Sequence, residues 1–244
     1  MTPRRIVAAA AAAAVFAAAF ALAWSARGSG PSLAGISVLR STVRTPAGPA
    51  SLVRVGVRLG DRRYRVVPVL ARGSVPSALD ALVVMNADFY DLATHAPSGR
   101  VVIGGRDARP GPWQEPWLEL SPGPVRIGKG LAVPIDLVSG KPRYVVDGRP
   151  VARLMHDGVT PFQYRTRAPR VAVAIAGDRL WLVGVGPPGM TMPEFQRLVV
   201  SLHPRAALGF DGGPSADIAV LGRPLLGQPE TAVPVDIAII PAED

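Results

Sequence analysis

The apolar residues of this chain fall in runs too short for helices. Leu82–Met85, Arg100–Ile103, Trp117–Leu120, Tyr144–Val146, Arg170–Ala176, Arg179–Val185, Ala206–Phe210 and Val235–Ile240 are rich in Val and Ile, and they are punctuated by 26 glycines and 26 prolines. Proline in a helix interior costs about 3 kcal/mol, whereas β-branched side chains fit a pleated surface. The pattern therefore predicts a strand-dominated domain. Leu52–Leu59 and Arg63–Val67 nearly alternate around Gly60-Asp61, which predicts a β-hairpin with one face in the core and its arginines in water. Arg170–Ala176 and Arg179–Val185 predict a second hairpin, turning at Gly177-Asp178.

One helix is legible. Thr191 can cap it with Glu194 three positions on, Phe195, Leu198, Val199 and Leu202 share a face, and Pro204 ends it. A weaker helix is predicted over Pro76–Ala81, with Ser74 as its cap. Few helices and many strands give an α+β class with strand-dominated mixed sheets.

Export is written at the N-terminus. Arg4 and Arg5 precede residues 6–24, which carry no charge, and Ala21-Leu22-Ala23 offers small residues for a signal peptidase. The same apolar stretch is nearly long enough to tether the chain in a membrane, so a cleaved signal and a retained anchor are both open. The chain divides into a signal or anchor at 1–26, a Gly- and Pro-containing linker at 27–50 and one domain at 51–244. Everything beyond the signal is expected outside the cytoplasm, in the periplasm or the extracellular space or anchored facing it.

Hydrophobic residues make up 48% and charged residues 18%, enough apolar content for a sizeable core. Cysteine is absent, so neither disulfides nor thiolate metal sites contribute. The net charge is +9, of which Arg4 and Arg5 supply two, and the remaining basic residues are scattered. Nucleic-acid binders concentrate charge on one stripe, so the scatter favours an anionic ligand or envelope over nucleic acid. Three histidines without ligand spacing predict no zinc site, and His95 and His203 are expected to be structural. Asp88, Asp91 or Asp211 could hold calcium, though in no EF-hand spacing. No cofactor is expected.

Three segments break their strands with polar residues and glycines: Asn86-Ala87-Asp88-Phe89-Tyr90-Asp91, Ala168-Pro169-Arg170-Val171 and Phe210-Asp211-Gly212-Gly213-Pro214-Ser215-Ala216. Together, in this order and spacing, they resemble the phosphodiester glycosidase family, whose members remove a sugar such as N-acetylglucosamine from a phosphodiester and include many bacterial envelope proteins. The family pattern runs Asn-Gly-Gly-Phe-Phe, then Arg-Thr-Ala-Ile-Gly into a hairpin, a helix, and Leu-Asp-Gly-Gly-Gly-Ser-Ser. The likeness spans roughly 50–240 and takes in Tyr144-Val145-Val146-Asp147-Gly148. Here Ala87 and Asp88 stand where the family has its glycine pair, Val171 replaces the threonine after the arginine, and Pro214-Ser215-Ala216 replaces Gly-Ser-Ser. Ala87 and Asp88 would narrow or recharge a wall that glycines leave open.

The resemblance implies an exported hydrolase acting on a sugar phosphodiester, with a glycan or sugar-phosphodiester as its partner. Asp211, Arg170 and Asn86 are its expected catalytic group. Sugar departure builds positive charge at the anomeric carbon, which a carboxylate such as Asp211 stabilises or attacks. Arg170 suits a pair of phosphate oxygens. Asn86 would hold a sugar hydroxyl or the carboxylate. Gly212, Gly213, Ser215, Asp88, Phe89 and His156 are the expected substrate-binding residues.

Asp88 reads either as a second carboxylate or as a turn residue, and Asp211-Gly212-Gly213 could be a plain turn. His156-Asp157-Gly158 is adjacent on a loop, where neighbouring side chains usually point apart. Trp113, Trp117, Phe162 and Tyr164 are expected in connections, stacking on a sugar or covering the sheet ends. The altered Asn86–Phe89 motif suggests a second class, a non-catalytic member that binds anionic or phosphorylated glycan in envelope or exopolysaccharide assembly.

Overall fold

In a computed structural model of the chain, the residues described are 33–70, 81–109, 115–120, 125–129, 135–227 and 233–242. The signal or anchor at 1–26, the helix predicted over Pro76–Ala81 except Ala81 itself, and Trp113 lie outside them. The strands are β1 (Ser37–Thr45), β2 (Gly48–Arg58), β3 (Tyr64–Leu70), β4 (Val83–Asn86), β5 (Val101–Ile103), β6 (Arg106–Arg109), β7 (Pro116–Glu119), β8 (Arg126–Lys129) and β9 (Leu137–Ser139). They continue as β10 (Arg143–Val146), β11 (Arg149–Pro150), β12 (Ala168–Ala176), β13 (Arg179–Met190), β14 (Ala206–Gly209), β15 (Ile218–Val220), β16 (Arg223–Pro224) and β17 (Val235–Pro241).

These build a seven-stranded sheet in the order β1-β2-β13-β12-β14-β10-β11 and two five-stranded sheets, β16-β15-β4-β17-β3 and β6-β5-β9-β7-β8. The strand-dominated α+β expectation holds. Among the described residues every strand pairing is antiparallel, so the parallel pairs that a mixed sheet would also contain are not seen. No described helix is long and apolar enough to cross a membrane.

The central strand β12 is covered on both faces, which explains why it reads as a continuous apolar run. Val171, Val173 and Ile175 of β12 face a core shared with Met85, Leu118, Ile218 and Ile237 of the two smaller sheets. Ala172 and Ala174 face the other way, beneath Phe195, Leu198 and Val199 of the helix Met192–Val200. That helix carries the predicted capping box: Thr191 accepts from the Glu194 N–H, and Glu194 accepts from the Thr191 N–H.

Two expectations are corrected. Residues 37–50 are not linker, because β1 lies along β2 from Ser37↔Gly56 to Thr45↔Gly48. The hairpin around Gly60-Asp61 does not form. β2 pairs with β1 and β13, whereas β3 pairs with β17 in another sheet. Alternation specifies that a strand has a core face; it does not specify its neighbour, and here the turn carries the chain from one sheet to the next. Arg58, Arg63 and Arg65 do face water, but Arg54, expected with them, is half-buried. The hairpin β12–β13 forms as predicted, with Gly177 in the left-handed region at φ 58°.

Candidate active site

Antiparallel register brings the first two members of the site together. β12 runs beside β14 with Ala172 opposite Gly209. Two residues before Ala172 is Arg170, and two residues after Gly209 is Asp211, so the start of one strand lies next to the end of the other. The main chain confirms it: the Phe210 N–H donates to the Val171 carbonyl at 3.2 Å. Gly212 completes the approach. A Cβ there would stand 2.7 Å from the Pro169 carbonyl oxygen and 3.4 Å from Arg170 Nη1, so this turn reaches the arginine only because residue 212 has no side chain. Gly213 serves the turn differently, with φ 70° and open space where its side chain would be.

Asn86 joins from the end of β4, in a different sheet. It is buried, and its Nδ2 donates to the Asp211 carbonyl at 2.9 Å while its Oδ1 accepts from the Asp217 N–H at 2.9 Å. The Asp211 N–H donates to the Asp88 carbonyl at 3.1 Å. These bonds fix the end of β14 against the end of β4.

The Asp211 carboxylate accepts from the Gly212 N–H at 2.9 Å and from the Ser215 hydroxyl, and Tyr90 Oη stands 3.3 Å from Ser215 Oγ. Burial pushes the Asp211 carboxyl above its usual range; the Ser215 and Gly212 donors and the charges of Arg170 and Lys141 pull against it.

Arg170 is oriented but largely committed. Its Nε donates to the Met190 carbonyl at 3.2 Å, and its Nη2 donates to the carbonyls of Gln163 at 2.8 Å and Thr166 at 2.6 Å. Those acceptors belong to the hairpin strand β13 and to the short helix Pro161–Arg165 with its C-cap Thr166; the capping box of that helix is made by Thr160 and Gln163. The guanidinium thus ties three segments together, and Nη1 is the nitrogen turned to Gly212.

Asp88 takes a conformation that glycine usually supplies, φ 56°, which aspartate tolerates better than most residues. Its side chain is buried and accepts the Gly99 N–H at 3.0 Å. A Cβ on Gly99 would stand 2.8 Å from both Asp88 Oδ1 and Glu115 Oε2, so those two oxygens are no farther apart than twice that distance. Burial pushes the Asp88 carboxyl up to about 7, with the Glu115 charge adding and the Phe89 and Gly99 amides and Lys141 opposing.

Sequence reasoning missed Lys141 and Glu115, which lie outside the three segments singled out, and gave Tyr90 no role although it lies within the first of them. Lys141 Nζ lies 3.6 Å from Glu115 Oε1 and 5.0 Å from the centre of the buried Phe89 ring.

His156 is exposed, and its described hydrogen bond is a main-chain one, its N–H to the Arg153 carbonyl at 3.1 Å. Its neighbour Asp157 is buried and turned to Arg143 Nε, Arg143 Nη2 and Lys129 Nζ, so the two side chains do not act as a pair. Asp91 caps its own turn by accepting from the Ala93 and Thr94 N–H groups and the Thr94 hydroxyl. His95 stacks on Tyr90. Among the described residues no group of three or more histidine, aspartate and glutamate side chains is arranged to hold a metal ion. Trp117 lies within β7, Phe162 is exposed on the short helix, and Tyr164 is half-buried against the core beneath it.

The sequence profile of the phosphodiester glycosidase family matches residues 72–240, a span containing Asn86, Asp88, Arg170 and Asp211. This chain belongs to the phosphodiester glycosidase family. Solved structures agree on the fold. A hypothetical protein from Synechocystis superposes with a TM-score of 0.70 at 15% identity, over 84% of this chain and 62% of that one. The catalytic domain of zebrafish N-acetylglucosamine-1-phosphodiester α-N-acetylglucosaminidase, auto-inhibited by its pro-peptide, superposes with a TM-score of 0.68 at 17% identity, over 84% and 82% of the two chains. A Burkholderia pseudomallei protein described as exported gives 0.59 at 13% identity, over 79% and 74%. The chain thus spans less than two thirds of the Synechocystis protein. No curated protein sequence matches it.

Proposed function

We propose that this chain is an exported hydrolase that cleaves a glycosyl phosphodiester in envelope or extracellular glycans. The observation that carries the reading is the 2.9 Å bond from the Asn86 amide to the Asp211 carbonyl, which joins the ends of two strands from different sheets beside Arg170. Asp211 supplies the carboxylate that stabilises or attacks the anomeric carbon as the bond to phosphate breaks. Phosphate is a good leaving group, so the reaction needs little help from a general acid, and a site without histidine suits it. Arg170 lies beside the Asp211-Gly212 turn with its charge reaching Asp211, and Asn86 fixes the turn from another sheet. The charge-free stretch at 6–24 behind Arg4 and Arg5 supports export, with cleavage or tethering as its two outcomes.

The test is release of free sugar from sugar 1-phosphodiesters by the purified protein and by Asp211→Asn. Loss of a charge that acts mainly in the transition state lowers kcat by roughly a thousandfold. Unchanged turnover in a folded Asp211→Asn protein removes Asp211 from the chemistry.

One observation favours the second reading, a non-catalytic glycan binder. The buried Asp88 side chain stands where the family has a glycine, adding a carboxylate to the site wall. A protein that binds the phosphodiester and releases no sugar is that binder.

A further inference from the structure

A phosphodiester carries a negative charge, and the cation expected to receive it is spoken for. Arg170 has Nε and Nη2 committed to the carbonyls of Met190, Gln163 and Thr166, which leaves no bidentate face for phosphate oxygens. A second cation lies close enough for its charge to reach Asp211. Lys141 is carried on the segment between β9 and β10, and the Gly209 N–H donates to the Pro142 carbonyl at 2.8 Å, so that segment is fixed to the strand that ends in Asp211. Its ammonium stands over Phe89, the residue after Asp88, and its charge reaches both Asp88 and Asp211.

The ammonium is loosely held. Its partner Glu115 is 3.6 Å away, where a charge-assisted N–H···O bond is about 2.7–2.9 Å. Both side chains remain open to solvent, 18% for Lys141 and 24% for Glu115. Gly158 lies beside it, where a Cβ would be in ordinary contact with the lysine, 3.8 Å from Cδ and 3.9 Å from Nζ. The neighbouring Asp157 does not compete, being turned to Arg143 and Lys129.

We propose that Lys141 binds the phosphate of the substrate, exchanging Glu115 for a phosphate oxygen, and so selects phosphodiesters over neutral glycosides. The inference rests on the hydrolase reading for its substrate, but the phosphate site is testable without turnover. A lysine suits the exchange because its compact charge sits on a flexible stem and swings without losing a fixed fork geometry. The exchange leaves Glu115 beside the Asp88 carboxyl without its cation, while Arg170 and Asp211 keep their partners. Phosphate binding is therefore accompanied by proton uptake at the buried Asp88 carboxyl, which the added negative charge pushes further up.

The experiment is calorimetric titration of the purified full chain with inorganic phosphate and with a sugar 1-phosphate, in buffers of different ionisation enthalpy. Parent protein, Lys141→Met, Lys141→Arg and Glu115→Gln are compared. The expected result is binding with proton uptake in the parent and binding weakened by about tenfold or more in Lys141→Met, the worth of one charge-assisted bond. Lys141→Arg retains most of the affinity, and Glu115→Gln, which frees the ammonium of its competitor, binds phosphate more tightly. In turnover, Lys141→Met raises KM for a sugar 1-phosphodiester by a larger factor than for an uncharged aryl glycoside, since both substrates feel the lost charge beside Asp211 and only one carries phosphate. No phosphate binding by the parent, or equal affinity in a folded Lys141→Met, overturns the proposal. If Lys141→Met does not fold, unaltered affinity in Glu115→Gln overturns it. Lysine-dependent phosphate binding without sugar release leaves the phosphate site standing and removes the hydrolase reading.

Discussion

Asn86 and Asp211 are joined side chain to main chain, amide nitrogen to carbonyl oxygen at 2.9 Å, across 125 positions of sequence. The same asparagine accepts the Asp217 N–H, so one buried amide satisfies a donor and an acceptor from a single loop.

Replacing Asn86 with alanine leaves the Asp211 carbonyl and the Asp217 N–H without that partner in a buried setting. Each orphaned group costs about 1–3 kcal/mol. Asn86→Ala is expected to unfold at lower denaturant concentration and to lose turnover by a larger factor than its stability loss explains, because the Asp211 carboxylate is no longer fixed. Denaturant melts with parallel kinetics check both.

The two glycines after Asp211 separate by mechanism. Gly212→Ala meets the Pro169 carbonyl at 2.7 Å and must displace the turn from Arg170, so activity falls steeply. Gly213→Ala meets open space and suffers only the strain of φ 70°, about 1 kcal/mol, so it loses stability and keeps most of its turnover. Melting temperature set against kcat for the two variants tests the contrast.

Arg170→Lys keeps the charge and loses the fork. One ammonium cannot reach the carbonyls of Met190, Gln163 and Thr166 together, so the variant is destabilised by about 1–3 kcal/mol despite its unchanged charge. Stability equal to that of the parent would show that the three carbonyls find other donors.

Stability is expected to fall as pH rises from about 4 to 7. Asp236 is pushed up to about 7 by burial and by the charge of Asp217, and Asp217 itself is pushed up to about 6 by burial. In the unfolded chain both titrate near 4. Between those values the folded state holds protons that the unfolded state has lost, so the protonated groups favour folding at low pH and the advantage disappears as pH passes their folded values. Asp236→Asn removes the acidic partner and flattens this slope: denaturant melts at pH 8 should find it more stable than the parent, and melts at pH 5 much closer to it. Asp157 and Glu194, held below the usual carboxylate range by their arginine and lysine partners, contribute in the opposite sense as pH falls below 4.

Most of the strands and the helix Met192–Val200 were legible because each is set by local information: a β-branched run between turn residues, or a cap with a box partner. Strand partners were not. Near-alternation in Leu52–Leu59 and Arg63–Val67 was read correctly as strand and wrongly as hairpin, since nothing within ten residues records that β3 belongs beside β17. The Gly- and Pro-containing stretch before Leu52 hid β1 for a related reason, as an edge strand needs only one partner and tolerates irregular composition.

The meeting of Asn86, Arg170 and Asp211 was legible through glycines and polar residues placed at strand ends. What those side chains do there was less so. Arg170 reads as a phosphate clamp in sequence, and three carbonyls from two other segments, which only the fold brings near, occupy its donors. Lys141 carried no signal because its position depends on the bond between Gly209 and Pro142, a tertiary contact between strands far apart in sequence.

The bonds that Asn86 and Asp88 make to the loop after β14 form a seam between two sheets, and a seam can be followed one amide at a time. The Asp211 and Asp217 amide protons are held by Asp88 and Asn86, so their exchange with deuterated solvent records each opening of that boundary. A molecule that grips both sides of that seam would slow these two amides together while leaving strand amides remote from it at their own pace.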